Sequence, residues 1–330
     1  MTAMHRRAFL TLLGAGALSG PARAQQLGRT YRLAILSPTP TPSESERSTA
    51  TILIPKALTD LGYAAGQNLV VDVRYADGRQ ERLPGLARDL VRLRPDVIVA
   101  ISLGSARAAR QATGVIPIVF YGNFDPLAAG LVTSLARPDG NLTGVLIAPA
   151  GTLAAKKLEL LTEAVPRATR IALLVPDDPA IRFQVQETQQ AASTLGIKVL
   201  VTEARERDYE RAFAAIASQR PQALFVAAHT YFVRDRKRII ELAARHRLPA
   251  MYEWPEQVEA GGLMSYGSSL PGTTRRVAVY VDRLFKGGRI ADLPIEQPAE
   301  FQLAINLRTA RALGLVLPPS LVARADRVIE

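Results

Sequence analysis

The feature that most constrains the fold is a regular alternation of short β-branched runs with longer segments of helical periodicity. Strand and helix alternating in this way predict parallel sheets covered on both faces by helices, which is an α/β architecture. The chain contains 330 residues, enough for about two domains. The predicted strands are Leu33–Ser37, Leu69–Arg74, Val97–Ser102, Ile116–Tyr121, Ile171–Val175, Ile197–Thr202, Ala223–Ala228 and Leu248–Tyr252.

The same series of signals occurs twice along the chain. Gly62 ends a helix in the first half and Gly196 does so in the second, as expected for glycine with positive φ. Each is followed by a strand, a helix and then Pro95 or Pro221, which releases the chain into another strand. The repeat predicts two similar doubly wound parallel-sheet lobes of the same topology.

The order of the segments predicts that the chain crosses several times between the lobes. Pro138–Leu142 is the strongest turn cluster and marks the first passage. Lobe 1 is predicted at residues 30–142 plus about 268–288, and lobe 2 at 143–260 plus about 295–330. Crossings are predicted near 139–145, 255–267 and 288–298. Arg275–Phe285 is predicted to be a helix and Phe301–Leu307 a strand. Such hinge crossings produce a cleft that can close around a small molecule.

The first 24 residues have the order of an export signal. Arg6 and Arg7 come first, an apolar stretch covers Ala8–Leu18, and small residues precede a cleavage site near Ala24. The paired arginines resemble the twin-arginine type of signal. The alternative is a basic start on a cytosolic protein. We predict a periplasmic protein that is soluble after cleavage.

Composition excludes several kinds of site. The chain has no cysteine and three histidines, which excludes thiol chemistry and Cys-based metal sites and argues against a multi-histidine metal site. We expect no cofactor and no metal. The formal charge of +11 raises the question of nucleic acid. Acidic residues interrupt the basic ones, however, which favours solvated helix faces, so no nucleic-acid partner is expected. A monomer is predicted because no long apolar face is left over.

Ligands of open α/β sheets bind beyond the carboxyl ends of the strands. The segment Ser102–Ala106 turns a buried strand into a helix through small residues, and the free N–H groups there could receive a carboxylate. Alternatively, Ser105 only caps the helix. The candidate ligand-binding residues at the strand ends are Ser37, Gly104, Ser105, Tyr121, Asn123, Asp125, Asp177, His229, Tyr231, Glu253 and Tyr266.

Aromatic residues are concentrated at these strand ends, although they make up only 6% of the chain. Aromatic walls with a few polar groups are typical of a small-molecule cleft. Some of these rings are expected to pack in the core instead. Three acids, Asp125, Asp177 and Glu253, could receive an ammonium group or could equally cap helices. The aromatic residues are Tyr121, Phe124, Tyr231, Phe232, Tyr252, Trp254 and Tyr266.

Signals for catalysis are poor. The sequence contains no Gly-x-Ser-x-Gly elbow, no P-loop and no paired-histidine motif. His229 follows a strand and could act as a base, but a single loop histidine is more often a hydrogen-bonding or surface residue. No enzymatic activity is predicted.

Several blocks occur in a recognisable order between about Tyr31 and Glu330. They include Leu61-Gly62-Tyr63, Pro95–Val99, Ile116–Phe120, Gly140–Gly144, Lys157–Leu161, Glu259–Gly267 and Ile305-Asn306-Leu307. In these blocks the chain resembles the periplasmic substrate-binding components of ABC transporters, in the family that includes tryptophan- and tyrosine-binding proteins. The resemblance implies a type 1 periplasmic-binding-protein fold that captures a solute and delivers it to a permease in the inner membrane. It supplies no catalytic residues.

We therefore predict a solute receptor of an ABC importer for a small carboxylate, such as an aromatic amino acid or aromatic acid. Gly104 and Ser105 would hold the carboxylate, the tyrosines would form walls, and Asp125 or Glu253 would meet an amino group. Two alternatives remain at this point. One is an exported sensory module with the same fold, and the other is a cleft enzyme that uses His229 with Asp125 or Glu253.

Overall fold

The computed structural model describes residues 28–42, 49–148, 153–178 and 181–330. The predicted export signal, with its cleavage near Ala24, lies outside these residues. Within the described ranges, no helix combines the length and the apolar character that a bilayer crossing requires.

The first sheet has five strands, all parallel, in the order β2-β1-β3-β4-β5. Three helices alternate with its strands, as the spacing of apolar residues predicts. The strands are β1 (Tyr31–Ser37), β2 (Leu69–Tyr75), β3 (Val97–Ile101), β4 (Ile118–Gly122) and β5 (Leu142–Leu146), and the helices are α1 (Ala50–Thr59), α2 (Leu83–Arg92) and α3 (Leu103–Ala112).

The second sheet has seven strands in the order β12-β11-β10-β9-β8-β6-β7. Its strands are β6 (Arg170–Pro176), β7 (Lys198–Ala204), β8 (Ala223–Val226), β9 (Ala250–Tyr252), β10 (Met264–Gly267), β11 (Gln302–Asn306) and β12 (Arg327–Ile329). The helices from here on are α4 (Leu153–Ala164), α5 (Arg182–Thr194), α6 (Tyr209–Ser218), α7 (Thr230–Arg234), α8 (Arg236–Arg245), α9 (Pro255–Glu259), α10 (Leu270–Phe285), α11 (Leu307–Ala312) and α12 (Pro319–Ala323). Strands β10 and β11 are antiparallel and the other pairs are parallel, so the predicted α/β class is confirmed with one antiparallel pair.

Each sheet is covered by apolar clusters, because its central strands are apolar on both faces. All five residues of β3 are buried, and so are all five of β4. One cluster contains only residues of the second half, from Leu158 to Leu321. Two others cover the two faces of the first sheet. We call the first sheet with its helices the first lobe, and the second sheet with its helices the second lobe.

Helix α10 belongs to the first lobe, although it follows β10 of the second sheet. It packs against α1 and against β3, β4 and β5. The helix begins at Leu270, five residues before the predicted start at Arg275. The reason lies in its first turn, where the Ser269 hydroxyl accepts the Gly272 N–H and Pro271 fits without an amide hydrogen.

The crossings between the lobes differ from the predicted ones because strand pairing continues further. Residues 142–146 pair with β4, so the first passage comes after Leu146 rather than near 139–145. Residues 255–259 form α9 and 264–267 pair within the second sheet, so the second passage follows Gly267. The segment around Glu296 pairs with β5, and the third passage lies between it and β11.

Candidate functional site

Three adjoining cavities lie where the carboxyl ends of the strands of both sheets meet. The inner chamber has about 490 Å³ of empty space including its open mouth, the middle chamber about 420 Å³ and the outer chamber about 1150 Å³. The inner and middle chambers share Ile147 and Thr230, and the middle and outer chambers share Phe124 and Asp178 among their walls. Each chamber has walls from both lobes, and we call the three together the cleft.

The inner chamber is mostly apolar. Ile101 and Tyr121 from the first lobe face Val233 and Trp254 from the second, and Ser37 adds a hydroxyl. The Tyr121 hydroxyl lies 2.9 Å from the Thr273 hydroxyl, and burial raises the pKa of Tyr121 above its ordinary value. Among the described residues that line this chamber, Arg234 is the only charged one.

Two uncharged polar atoms of residues that line the inner chamber lack a hydrogen-bond partner among the described residues. They are the indole Nε1 of Trp254 and the hydroxyl of Thr230. An indole N–H can only donate. A buried donor without a partner costs about 1–3 kcal/mol, so such atoms are uncommon in folded proteins. Both are suited to a ligand that carries a hydrogen-bond acceptor.

His229 lies in the middle chamber with both ring nitrogens occupied. Its Nδ1 accepts the Tyr231 N–H at 3.3 Å, which places the ring proton on Nε2. The Nε2–H then donates to Asp178 Oδ2 at 3.2 Å. Since neither nitrogen keeps a free lone pair, the imidazole has no base to offer a substrate. This geometry favours a structural hydrogen-bonding role for His229.

The outer chamber contains two carboxylates and the glycine of the predicted carboxylate site. Asp125 Oδ1 accepts the N–H groups of Leu127 and Ala128 at 2.8 and 3.1 Å, so this acid caps a turn while lining the chamber. A Cβ on Gly104 would lie 2.6 Å from Gln80 Oε1. The end of the Gln80 side chain therefore covers this position and would have to move to admit a larger residue.

The start of α3 is strained and partly occupied by its own side chains. Ser102 has φ +87° and ψ 164°, a region that residues other than glycine rarely enter. Its hydroxyl accepts the Ser105 N–H at 3.4 Å, so Ser102 caps the helix and satisfies one of the free donors. Ser105 is fully buried behind the chamber walls.

Glu253 forms a buried ion pair with Lys157 of α4. The two side chains are 1% and 4% exposed. Burial raises the pKa of the Glu253 carboxyl, and the nearby Lys157 ammonium partly offsets this. A Cβ at Gly267 would overlap the Glu253 carbonyl oxygen, so β10 can approach this turn only through glycine. The pair fixes the backbone that leads into Trp254.

Six of the predicted site residues line the cleft and five do not. Ser37 and Tyr121 line the inner chamber, Asn123 and His229 the middle one, and Gly104 and Asp125 the outer one. The other five lie elsewhere: Ser105 is buried, Asp177 faces solvent, the Tyr231 hydroxyl donates to the Pro38 carbonyl at 3.5 Å, Glu253 pairs with Lys157, and Tyr266 stacks near Phe301.

Sequence reasoning omitted four cleft residues from the candidate site. Asp178 adjoins the selected Asp177, but Asp178 is buried whereas Asp177 is exposed. Thr230 and Trp254 adjoin the selected His229 and Glu253. Arg234 lies one helical turn beyond Thr230, so the spacing of four residues could have linked them.

Within the described ranges, no group of three metal-ligating side chains occurs. The cleft instead combines apolar walls, hydroxyls, one arginine in the inner chamber, and two carboxylates with two arginines in the outer one. Such an arrangement binds a small organic molecule by shape and by a few hydrogen bonds.

Comparison with solved structures identifies the fold. A conserved domain protein from Vibrio cholerae O1 biovar El Tor aligns with a TM-score of 0.81 and 26% identity, over 91% of this chain and 100% of that one. A protein from Streptococcus pneumoniae, described as an ABC domain in complex with L-Trp, aligns with a TM-score of 0.77 and 23% identity, over 90% and 100% of the two chains. The chain has the type 1 periplasmic-binding-protein fold.

Sequence comparison gives the family. A protein of Clostridioides difficile strain R20291 named tyrosine-binding protein is 26% identical over 273 residues, which cover 79% of this chain and 75% of that protein. The model of the family described as ABC transporter substrate binding protein matches residues 44–329, most of the chain. The protein therefore belongs to the ABC transporter substrate-binding protein family.

Proposed function

We propose that the protein captures a small aromatic carboxylate, either an amino acid or a simple aromatic acid, and delivers it to a membrane permease. The observation that carries this proposal is the cleft of three joined chambers with walls from both lobes. One similar protein is named for tyrosine binding, and the structure of another is described as a complex with L-Trp. Both support the choice of solute class.

Binding and lobe closure are coupled in this account. The lobes already touch across the cleft, since Gln80 Nε2 donates to Asp178 Oδ2 at 3.2 Å and Tyr231 reaches Pro38. A solute that contacts walls of both lobes stabilises the closed arrangement by its extra affinity for that state. The permease then distinguishes the loaded, closed receptor from the open one.

The carboxylates that could meet the ammonium end of an amino acid line the outer chamber. They are Asp125 and Asp178, which lie there together with Arg107 and Arg182. Glu253, the other acid predicted for this role, is already paired with Lys157. An aromatic acid without an amino group would make no contact of this kind.

Export belongs to the same proposal. Residues 1–24 direct the chain out of the cytoplasm, where a permease-linked receptor meets its solute. Intact-mass measurement of the protein from the periplasm tests this, and loss of the first 24 residues is expected. A full-length mass from the cytoplasm would contradict export.

Thermal unfolding and calorimetric titration with L-tyrosine, L-tryptophan and benzoate test the solute class, with glucose as the control. Ligand at 100 times its Kd adds about 2.7 kcal/mol of stability, which should raise the Tm by at least ~5 °C. No shift with any of the three carboxylates would contradict the proposal.

A chamber-filling variant tests the place of binding. Thr39→Trp puts an indole at the half-buried rim of the inner chamber and is expected to abolish binding. Val115→Trp is the matched control, because Val115 is 87% exposed and lies outside the three chambers. Equal affinity of the Thr39→Trp variant and the wild type would place binding elsewhere.

A further inference from the structure

The inner chamber has the chemistry of an anion-accepting end. Among the uncharged polar atoms of its lining residues, the Trp254 indole N–H and the Thr230 hydroxyl have no described partner. Its only described charged lining residue is Arg234, and no described carboxylate lines it. The outer chamber differs, since two carboxylates, Asp125 and Asp178, line it together with Arg107 and Arg182.

Trp254 cannot easily turn its N–H toward water. The residue is 1% exposed, and its backbone N–H donates to Gln257 Oε1 at 3.1 Å. The preceding Glu253 is held by Lys157, and the following Pro255 begins α9. Because these contacts hold the indole N–H of Trp254 away from water, it needs a hydrogen-bond acceptor other than water.

The start of α3, where the sequence placed the carboxylate, is less prepared for one. Ser105 is fully buried and its N–H already donates to the Ser102 hydroxyl. Gly104 is covered by the Gln80 side chain. The donors without partners are therefore on the second-lobe wall of the inner chamber and not at this helix.

Resting on the proposed function, we propose that the solute binds with its carboxylate in the inner chamber, where the Trp254 indole N–H and the Thr230 hydroxyl donate to it beside Arg234. The solute then enters with its carboxylate leading, and any ammonium group remains toward Asp125 and Asp178. This orientation makes Trp254 and Thr230 the residues that select carboxylates over neutral solutes.

The test uses calorimetric titration of the wild type, Trp254→Phe and Thr230→Val. Trp254→Phe keeps an aromatic ring and removes the N–H, whereas Thr230→Val keeps the shape and removes the hydroxyl. The probes are L-tyrosine, L-tryptophan and benzoate, each compared with its neutral carboxamide. Tyr266→Phe is the control, because this tyrosine lies outside the three chambers.

The wild type is expected to bind at least one carboxylate at least ~10-fold more tightly than its amide, since hydrogen bonds to charged groups are the stronger ones. Trp254→Phe and Thr230→Val should each weaken the binding of the carboxylate ~10-fold or more. Each should also reduce the ratio between the affinity for the carboxylate and the affinity for its amide. Tyr266→Phe should bind as the wild type does.

The outcomes separate this inference from the proposed function. Wild-type binding that both variants retain in full would overturn the inference and leave the function intact. A wild type that binds none of the probes would overturn the function, and the inference with it. If Trp254→Phe fails to fold, the Thr230→Val variant and the preference of the wild type for carboxylate over amide remain as tests. A Thr230→Val variant that keeps both the affinity and the preference of the wild type would overturn the inference.

Discussion

The two lobes have the same backbone conformation at equivalent positions of the sequence repeat. Arg94 and Arg220 each precede a proline and adopt nearly the same left-handed conformation, with φ of 50° and 48°. Gly62 and Gly196 also have positive φ, at 92° and 68°. The repeat in the sequence therefore corresponds to a repeat in the chain path that leads into each buried strand.

The ends of the strands differ between the lobes. In the first lobe the turn after β3 consists of small residues and includes the strained Ser102. In the second lobe the corresponding turns contain His229 with its partner Asp178, and Glu253 with Lys157. The comparison teaches that the repeated scaffold sets where the cleft lies, while the unrepeated strand ends set what it can bind. Four predictions test this difference, from the largest expected effect to the smallest.

The largest effect is expected from breaking the buried pair of the second lobe. Lys157→Met leaves the Glu253 carboxylate buried without its cation, which should cost about 3–5 kcal/mol in the free energy of unfolding. Denaturant unfolding measures the loss. Lys156→Met is the matched control on the same helix, because Lys156 forms an exposed pair with Glu159 and should cost less than ~1 kcal/mol.

Adding Glu253→Gln to Lys157→Met removes the uncompensated charge and should recover part of the stability. Equal losses in the free energy of unfolding for the Lys157 and Lys156 variants would show that the buried pair stabilises the second lobe no more than the exposed pair does.

The next effect is expected at the close approach between β10 and the Glu253 turn. Gly267→Ala would force the Glu253 carbonyl oxygen away and should cost about 3 kcal/mol through overpacking. Gly85→Ala is the matched control, since nothing lies within 4 Å of a Cβ there and the position is inside α2. The control should stabilise by about 0.5–1 kcal/mol. A Gly267→Ala protein as stable as the control would contradict the close packing of this turn.

Alkaline pH should destabilise both lobes through buried tyrosines. Burial is the main reason why the pKa of Tyr231 in the second lobe and the pKa of Tyr280 in the first are each raised to about 12. Because the unfolded chain releases these protons near pH 10 and the folded chain near 12, stability is unaffected below pH 10 and falls as pH rises from 10 to 12. Urea midpoints measured from pH 8 to 11 report this decline.

Tyr231→Phe and Tyr280→Phe should each make the urea midpoint fall less steeply with rising pH, and by similar amounts. A slope that neither variant changes would assign the alkaline loss to other groups.

The smallest effect is expected from relieving the strain of the first lobe. Ser102→Gly permits φ +87° without the penalty of a Cβ and loses only a long capping bond, so it should stabilise by about 1 kcal/mol. Ser102→Ala keeps the strain and loses the cap, and should destabilise by about 1 kcal/mol. Thermal unfolding distinguishes the two, and the same sign for both would contradict strain at this residue.

The fold could be predicted because its signals are local. Runs such as Val97–Ile101 are apolar throughout, and a helix such as Tyr209–Ser218 has a capping Asp208 before it, so each element is specified by its own residues. Where the chain leaves each lobe depends instead on strand pairing, since β5 pairs with β4, and β10 pairs with β9 and β11.

The candidate site could be predicted only to within neighbouring residues. The strand ends could be chosen from the sequence, yet the choice between Asp177 and Asp178, or between Glu253 and Trp254, depends on contacts that span the chain. Lys157 neutralises Glu253 from 96 positions away. Which side chain at a turn faces the cleft is decided by such tertiary contacts and leaves no local pattern.

A crystal structure with the solute that binds most tightly among L-tyrosine, L-tryptophan and benzoate tests the central claim most directly. The account predicts density between the lobes, with the carboxylate within hydrogen-bond distance of Trp254 Nε1 and the Thr230 hydroxyl in the inner chamber. Solute density outside the three chambers, or contacts with one lobe alone, would contradict it.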